Sequence, residues 1–276
     1  MKKKILVVGK NSVLGSSFSK FFKNKFLVKM VNFEEIKSKF SKKNFLKYDY
    51  IINCTSNLNY IKKKYNFNHD HDLFIANKIK DCNCKFVFIS TRKVYKVGDN
   101  LKETSKLLPN CNYSKNKLIT EKNILSLLRD KVLILRVSNI IGFKNKRPKY
   151  RKLHKTFIDY FLENINKNII FDNADSYKDF LTIGTFTKIV LKLIEKNVVG
   201  IYNVSYGKKI YLSRVINWLN YHNPNKVKIL KASNKFQKEN FYLNNKKLKN
   251  CIDLKIHIND LEKYCKKISK NIFIKK

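Results

Sequence analysis

The chain has 276 residues, a formal charge of +40, a pI near 10.0 and 43% hydrophobic residues. That length supports a real core in one domain or one and a half, and the longest apolar runs, such as Val132–Leu135, are only strand length, which excludes a membrane-spanning reading. The charge suggests nucleic acid at first sight, but 54 of the 60 basic residues are lysines spread along the whole chain, a compositional drift that leaves nucleic acid unexpected as a partner.

Strands and helices then alternate from the start. Strands are predicted near Lys4–Val8, Phe26–Val31, Asp49–Cys54, Lys85–Ser90 and Val132–Val137. Helices are predicted between them, near Val13–Lys23, Phe33–Phe40, Asp70–Asp81 and Tyr113–Arg129. The strand runs are continuously apolar, as strands covered on both faces require, so the expected fold is α/β with a doubly wound parallel sheet. Past Gly142 the pattern loosens into a loop at Lys144–Pro148, a helix near Leu153–Asn164 and a short strand at Ile169–Phe171. Phe180–Ile183, a helix at Thr185–Lys196 and a strand at Gly200–Val204 read as a return to the sheet, followed by a smaller mixed lobe. Cys54, Cys82, Cys84, Cys111, Cys251 and Cys265 form no C-x-x-C pair and are expected as reduced thiols. The apolar run Ile5–Val8 is too short for a signal-peptide core, and a cytoplasmic location is expected.

The first strand runs into Gly9-Lys-Asn-Ser12-Val-Leu-Gly15 and a helix. A tight turn at Gly9, close backbone approach around Ser12, Val13 and Leu14, and close helix packing at Gly15 suit a pyrophosphate seated on a helix N-terminus. Ser12 adds a Cβ at the point of closest approach, with a hydroxyl that could donate to a phosphate. Asn32 ends the second strand, where an acidic residue would mark NAD, so the choice between NAD and NADP stays open. Three Tyr-x-x-x-Lys matches occur, Tyr60/Lys64, Tyr113/Lys117 and Tyr242/Lys246, about as many as chance supplies in a chain so rich in lysine. Only Tyr113/Lys117 opens a predicted helix downstream of strand-end hydroxyls, Ser90 and Thr91. A dinucleotide turn, a strand-end hydroxyl and a Tyr/Lys pair, in that order, point to nicotinamide-dependent dehydrogenase chemistry. Asn68-His-Asp-His-Asp72 reads as a helix cap with an acidic first turn; His69 and His71 face different ways on a helix, and no metal is expected.

Together these residues resemble the extended short-chain dehydrogenase/reductase family, the NAD-dependent epimerase/dehydratase type, and by length and strand spacing its dTDP-4-dehydrorhamnose reductase branch. Asp49-Tyr-Ile-Ile-Asn53 is similar to the strand that carries the family's cofactor-facing Asn, and Ser90-Thr-Arg-Lys-Val-Tyr95 to its catalytic strand end. Glu103, Pro109, Tyr113, Lys117 and Glu121 follow at the family's spacing, and Leu135–Gly142, Lys178–Ile183 and Gly200–Val204 match further segments. The resemblance implies a Rossmann sheet with a smaller C-terminal α/β substrate lobe. Residues 1–146 would form the dinucleotide-binding domain, with 180–204 returning to it, and 147–179 with 205–276 the substrate lobe.

The resemblance further implies hydride transfer on a nucleotide-activated sugar with NAD or NADP as cofactor. Tyr113 would pass the proton, Lys117 would lower its pKa and hold the nicotinamide ribose, and Thr91 would bind the reacting oxygen. Asn53 and Asn68 match positions near the cofactor. Ser90, Asn139, Arg147 and Arg151 are the candidate substrate contacts, the arginines because they bind phosphate bidentately. Arg92-Lys93 stands where the family's dehydratases carry an acidic pair, which leaves reduction or epimerisation. A homodimer through the helices at Asp70–Asp81 and Tyr113–Arg129 is a further expectation. A catalytically silent dinucleotide-binding or RNA-binding protein on the same fold, or an enzyme acting on a small ketone or lipid, stays open as an alternative.

Overall fold

The computed structural model describes residues 2–142, 157–164, 169–170, 176–226, 228–229, 239–253, 255 and 257–274. The first half runs β1 (Lys4–Val8), α1 (Val13–Phe22), β2 (Leu27–Val31), α2 (Phe33–Lys39), α3 (Lys42–Phe45), β3 (Tyr50–Asn53), α4 (Leu58–Lys62), α5 (His71–Ile79), β4 (Lys85–Thr91), α6 (Asn112–Leu128) and β5 (Val132–Val137). The second half continues with β6 (Asn139–Ile141), α7 (Phe157–Asn164), β7 (Ile169–Ile170), β8 (Tyr177–Lys178), β9 (Phe180–Thr182), α8 (Ile183–Glu195) and β10 (Gly200–Val204). It ends with β11 (Ile210–Tyr211), α9 (Leu212–Leu219), β12 (Lys228–Ile229), α10 (Lys246–Cys251) and α11 (Ile258–Phe273).

Six parallel strands form one sheet in the order β10-β5-β4-β3-β1-β2. The chain builds outward from β1 to β2, then returns to the other side of β1 with β3. That reversal opens a crevice at the carboxyl ends of β1 and β3, where open α/β sheets bind ligands. The return of β10 to the sheet beside β5 adds the sixth strand.

The alternation of side chains along each strand divides the core in two. Ile5, Val7, Tyr50, Ile52, Val87, Leu133 and Leu135 face the layer that holds Phe18 and Phe22 of α1 and Phe186, Ile189 and Leu193 of α8. Leu6, Val8, Ile51, Phe86, Phe88, Val132 and Ile134 face Ile36 of α2, Leu73 and Ala76 of α5, and Ile124 and Leu128 of α6. Both faces are covered, which is why the strands read as unbroken apolar runs. At the sheet edge, β2 is buried only at Val31, while Leu27 is exposed. A third cluster of Val94, Tyr95, Leu101, Phe241 and Leu243 clamps the segment after β4 to the C-terminal part of the chain. Small pairings, β6 with β9, β8 with β11 and β7 with β12, lie beyond the main sheet.

The predicted elements fall within a few residues of those observed in the first half. The helices α3 and α4 and the 3₁₀ turn at Phe67–His69 are not legible in the sequence because they are too short to show a helical period. The His69–Asp72 segment does cap a helix: Asp70 is the N-cap of α5 and its Oδ1 accepts the Leu73 N–H at 3.0 Å. Among the described residues no helix is long and apolar enough to cross a membrane.

Candidate active site

The turn after β1 is built as tightly as its glycines suggest. Gly9 has φ +114°, and a Cβ there would stand 3.0 Å from Thr55 Cγ2. A Cβ on Gly15 would lie 2.2 Å from the Gly9 carbonyl oxygen, a distance no side chain tolerates. Ser12 is the N-cap of α1, and its Oγ accepts the Gly15 N–H at 2.8 Å. That bond fixes the hydroxyl at the helix N-terminus and leaves its proton available to donate. Val13 and Leu14 open the helix behind it. These residues fit a pyrophosphate: a cradle with no side chain at Gly9 or Gly15, on the positive end of a ten-residue helix.

The other expected cofactor residues have commitments of their own. Asn32 caps α2 and its N–H donates to Glu35 Oε1 at 2.8 Å. Behind it the Phe33 ring stacks on His71 at 3.5 Å, and His71 Nδ1 lies 3.0 Å from Thr55 Oγ1. Burial pushes the His71 pKa down to about 4, so the imidazole is neutral at ordinary pH. The Asn53 side chain is buried, donates to Asp72 Oδ1 at 2.8 Å and accepts from Thr55 Oγ1 at 2.7 Å. It therefore shapes the loop after β3. Asn68 stands exposed on the 3₁₀ turn ahead of α5.

Thr91 ends β4, and Tyr113 and Lys117 lie one turn apart at the start of α6. Thr91 and Tyr113 line a single cavity of about 450 Å³ together with Ser138 and Asn139. Ile141, Ile158 and Phe180 form its apolar wall. Lys117 is buried beneath, its Nζ 3.0 Å from Asp72 Oδ2 and 4.4 Å from the centre of the Phe88 ring. Burial works against the Lys117 ammonium, but Asp72 and then Tyr113 outweigh it and the pKa ends above its ordinary value.

Tyr113 departs from the expectation. Burial, the largest influence, pushes the phenol up; Lys117 pulls it down as anticipated, and Asp72 pushes it up again, so the net direction is upward. In the sequence Asp72 reads as a helix-dipole charge, and nothing in its spacing reveals that α5 turns it against α6 as the buried counter-ion of Lys117.

Ser90 also departs from its expected place against a substrate. It is buried and its hydroxyl donates to Glu121, so it ties β4 to α6 and does not line the cavity. Glu121 also receives Arg136, whose terminal nitrogen lies 2.7 Å from Oε2. Arg136 further donates to Tyr95 Oη at 3.1 Å and to the Glu103 carbonyl at 3.0 Å, and Glu103 Oε1 accepts the Asn203 N–H at 2.8 Å. Glu103 and Glu121, singled out by spacing, are thus scaffold beneath the cavity. Arg147 and Arg151 lie outside the described residues.

The cavity carries charges the sequence reading had not placed there. Arg92, Lys93, Lys178 and Glu239 all line it. Arg92-Lys93 was legible only as a missing acidic pair, while Lys178 and Glu239 come from distant segments that folding delivers.

No curated protein matches the chain. Among solved structures, a UDP-N-acetylglucosamine 4-epimerase from Methanobrevibacter ruminantium M1, in complex with UDP-N-acetylmuramic acid, superposes with a TM-score of 0.80 at 19% identity over 100% of both chains. A dTDP-4-dehydrorhamnose reductase from Clostridium acetobutylicum ATCC 824 gives 0.76 at 16% identity, covering 98% of this chain and 99% of the other. A mutant UDP-glucuronic acid 4-epimerase from Bacillus cereus, with a fluorinated UDP-sugar and NAD, gives 0.75 at 16% identity over 98% and 100%. At these identities the likeness shows the fold. Residues 5–205 match the family described as the NAD dependent epimerase/dehydratase family, and with most of its length accounted for, the chain belongs to that NAD(P)-dependent family.

Proposed function

We propose that this protein is a nucleotide-sugar reductase or epimerase that works by hydride transfer. The observation that carries the reading is the meeting of Thr91 and Tyr113 in one cavity, with Lys117 a turn below and the Gly9–Gly15 cradle at the carboxyl end of β1, two strands along the sheet from β4. Gly9, Ser12, Val13, Leu14 and Gly15 would hold the pyrophosphate, with Asn32 at the adenosine end and Lys117 at the nicotinamide ribose. When bound, the nicotinamide supplies or accepts the hydride. Thr91 holds the reacting oxygen by a hydrogen bond that strengthens as charge develops on it. Tyr113, kept protonated by its raised pKa, is ready to deliver its proton to that oxygen. Asp72 keeps the buried Lys117 ammonium charged and in place.

The superposed enzymes that act on UDP- and dTDP-sugars support the substrate class, and Arg92-Lys93, where dehydratases need an acidic pair, argues against elimination of water. Titration with NADH and NADPH, following nicotinamide fluorescence with and without UDP-, GDP-, CDP- and dTDP-sugars, tests the reading. Saturable binding of a cofactor, tightened or consumed by one nucleotide sugar, is expected. Failure of both cofactors to bind at low salt would overturn it.

A further inference from the structure

We infer that the cavity contains an anion subsite, formed by Arg92, Lys178 and Ser138, that reads a carboxylate on the sugar itself, making the substrate an acidic nucleotide sugar. This inference rests on the reading above and narrows its substrate class.

Unsatisfied polarity is the first observation. Among the described residues, three buried side-chain polar atoms lack a hydrogen-bond partner: Arg92 Nε, Ser138 Oγ and Asp179 Oδ1. Two of the three belong to residues that line the cavity. Leaving a buried donor unpaired costs about 1–3 kcal/mol, more for a charged group, so such atoms call for a partner that arrives from outside the fold.

Charge is the second. Arg92 is only 6% exposed, yet its guanidinium lies against the Phe241 ring at 3.6 Å and reaches its one salt-bridge partner, Glu239 Oε2, at 3.7 Å. Among the described residues, the cavity thus receives Arg92, Lys93 and Lys178 against Glu239 alone. Burial lowers the Arg92 pKa to about 10, and burial followed by the nearby Arg92 lowers that of Lys178. Each cation is therefore short of negative charge. A carboxylate would supply it, accepting from the guanidinium and from the Ser138 hydroxyl.

Position selects the source of the anion. A nucleotide sugar carries a diphosphate in any case, and the same cations could bind it. Arg92 directly follows Thr91, the residue read as holding the reacting oxygen, and the two line the same cavity, which puts this cation at the reacting end of the sugar. The sheet crevice at Gly9 lies at the cofactor end. A carboxylate on the sugar ring fits that placement.

The test uses the full chain saturated with NADH and matched pairs of ligands that differ only in sugar charge: UDP-glucuronate against UDP-glucose, and the corresponding dTDP and GDP pairs. Calorimetric titration should show the uronate of the accepted nucleotide binding about 10- to 100-fold more tightly than its neutral partner. Arg92→Gln and Lys178→Gln should each erase most of that preference by weakening the uronate far more than its neutral partner, whereas Glu239→Gln, which removes the competing carboxylate, should enlarge it. Lys178→Gln guards against a folding defect in the Arg92 variant, and both are checked by thermal melting. Equal affinity for both members of a pair, or equal weakening of both in Arg92→Gln, would overturn the inference and return the cations to the diphosphate. If NADH binds but no nucleotide sugar of any pair does, the substrate reading above fails and takes this inference with it.

Discussion

Two buried arginines a few residues from one another across the β4–β5 pair show how differently the fold uses one side chain. Arg136 is satisfied at every nitrogen: Nε and one terminal nitrogen go to Glu121, the other to Tyr95 and the Glu103 carbonyl. Arg92 lies nearly as deep, yet it has one carboxylate at 3.7 Å and a bare Nε. The first belongs to a closed network beneath the cavity; the second opens into it. Saturated buried polarity holds the scaffold together, and at the cavity unsaturated buried polarity is what the proposed ligand would complete.

The contrast can be broken most severely on the cavity side. Tyr113→Phe removes the proposed proton donor and keeps the ring, so turnover should fall about 10²- to 10⁴-fold with NADH affinity and melting temperature nearly unchanged. On the scaffold side, Arg136→Met should leave the Glu121 carboxylate buried without its partner. A loss of about 3–5 kcal/mol in urea unfolding is expected, with activity per folded molecule retained. If Tyr113→Phe destabilises as much as Arg136→Met, the division between the two regions is wrong.

Asp179 sharpens the comparison, because its Oδ1, without a partner among the described residues, belongs to a residue that does not line the cavity. Its Oδ2 accepts the Leu243 and Gly207 N–H groups, and burial pushes its pKa from 3.8 up to about 7. The folded state therefore holds a proton that the unfolded chain releases, and the stability this group contributes is complete below pH 3.8 and lost as pH rises through 7. Asp179→Asn keeps the accepting oxygen and cannot ionise. It should be more stable than the parent at pH 8 by about 1–3 kcal/mol, with the gap closing toward pH 4, as read by chemical unfolding across that range. A gap that does not vary with pH would assign the effect to packing. The smallest effect is expected from Ser12→Ala, which removes the α1 cap and should cost about 1 kcal/mol of stability. A simultaneous loss of cofactor affinity would show that the Ser12 hydroxyl also reaches the phosphates.

Strand runs, helix starts and the Gly9–Gly15 spacing were legible because each is a local property: period, cap and turn residues lie within a few positions of one another. The pairing of Tyr113 with Lys117 was legible for the same reason, since both lie on one helix turn. Ser90 was misread because the two neighbouring hydroxyls at the end of β4 point to opposite faces of the sheet, and only the packing of α6 decides which meets Glu121 and which meets the cavity. The upward shift of Tyr113 was hidden because Asp72 is 41 positions away from it in sequence and comes near only when α5 packs on α6.

By itself the sequence determined the class of fold, the Gly9–Gly15 turn and the Thr91–Tyr113–Lys117 order, all carried by short-range periodicity and turn chemistry. Tertiary structure alone decided which polar groups meet at the cavity. Arg92, Lys178, Ser138 and Glu239 come from segments up to 147 positions apart, and the desolvation that gives a buried polar group its meaning exists only once the chain has closed around it.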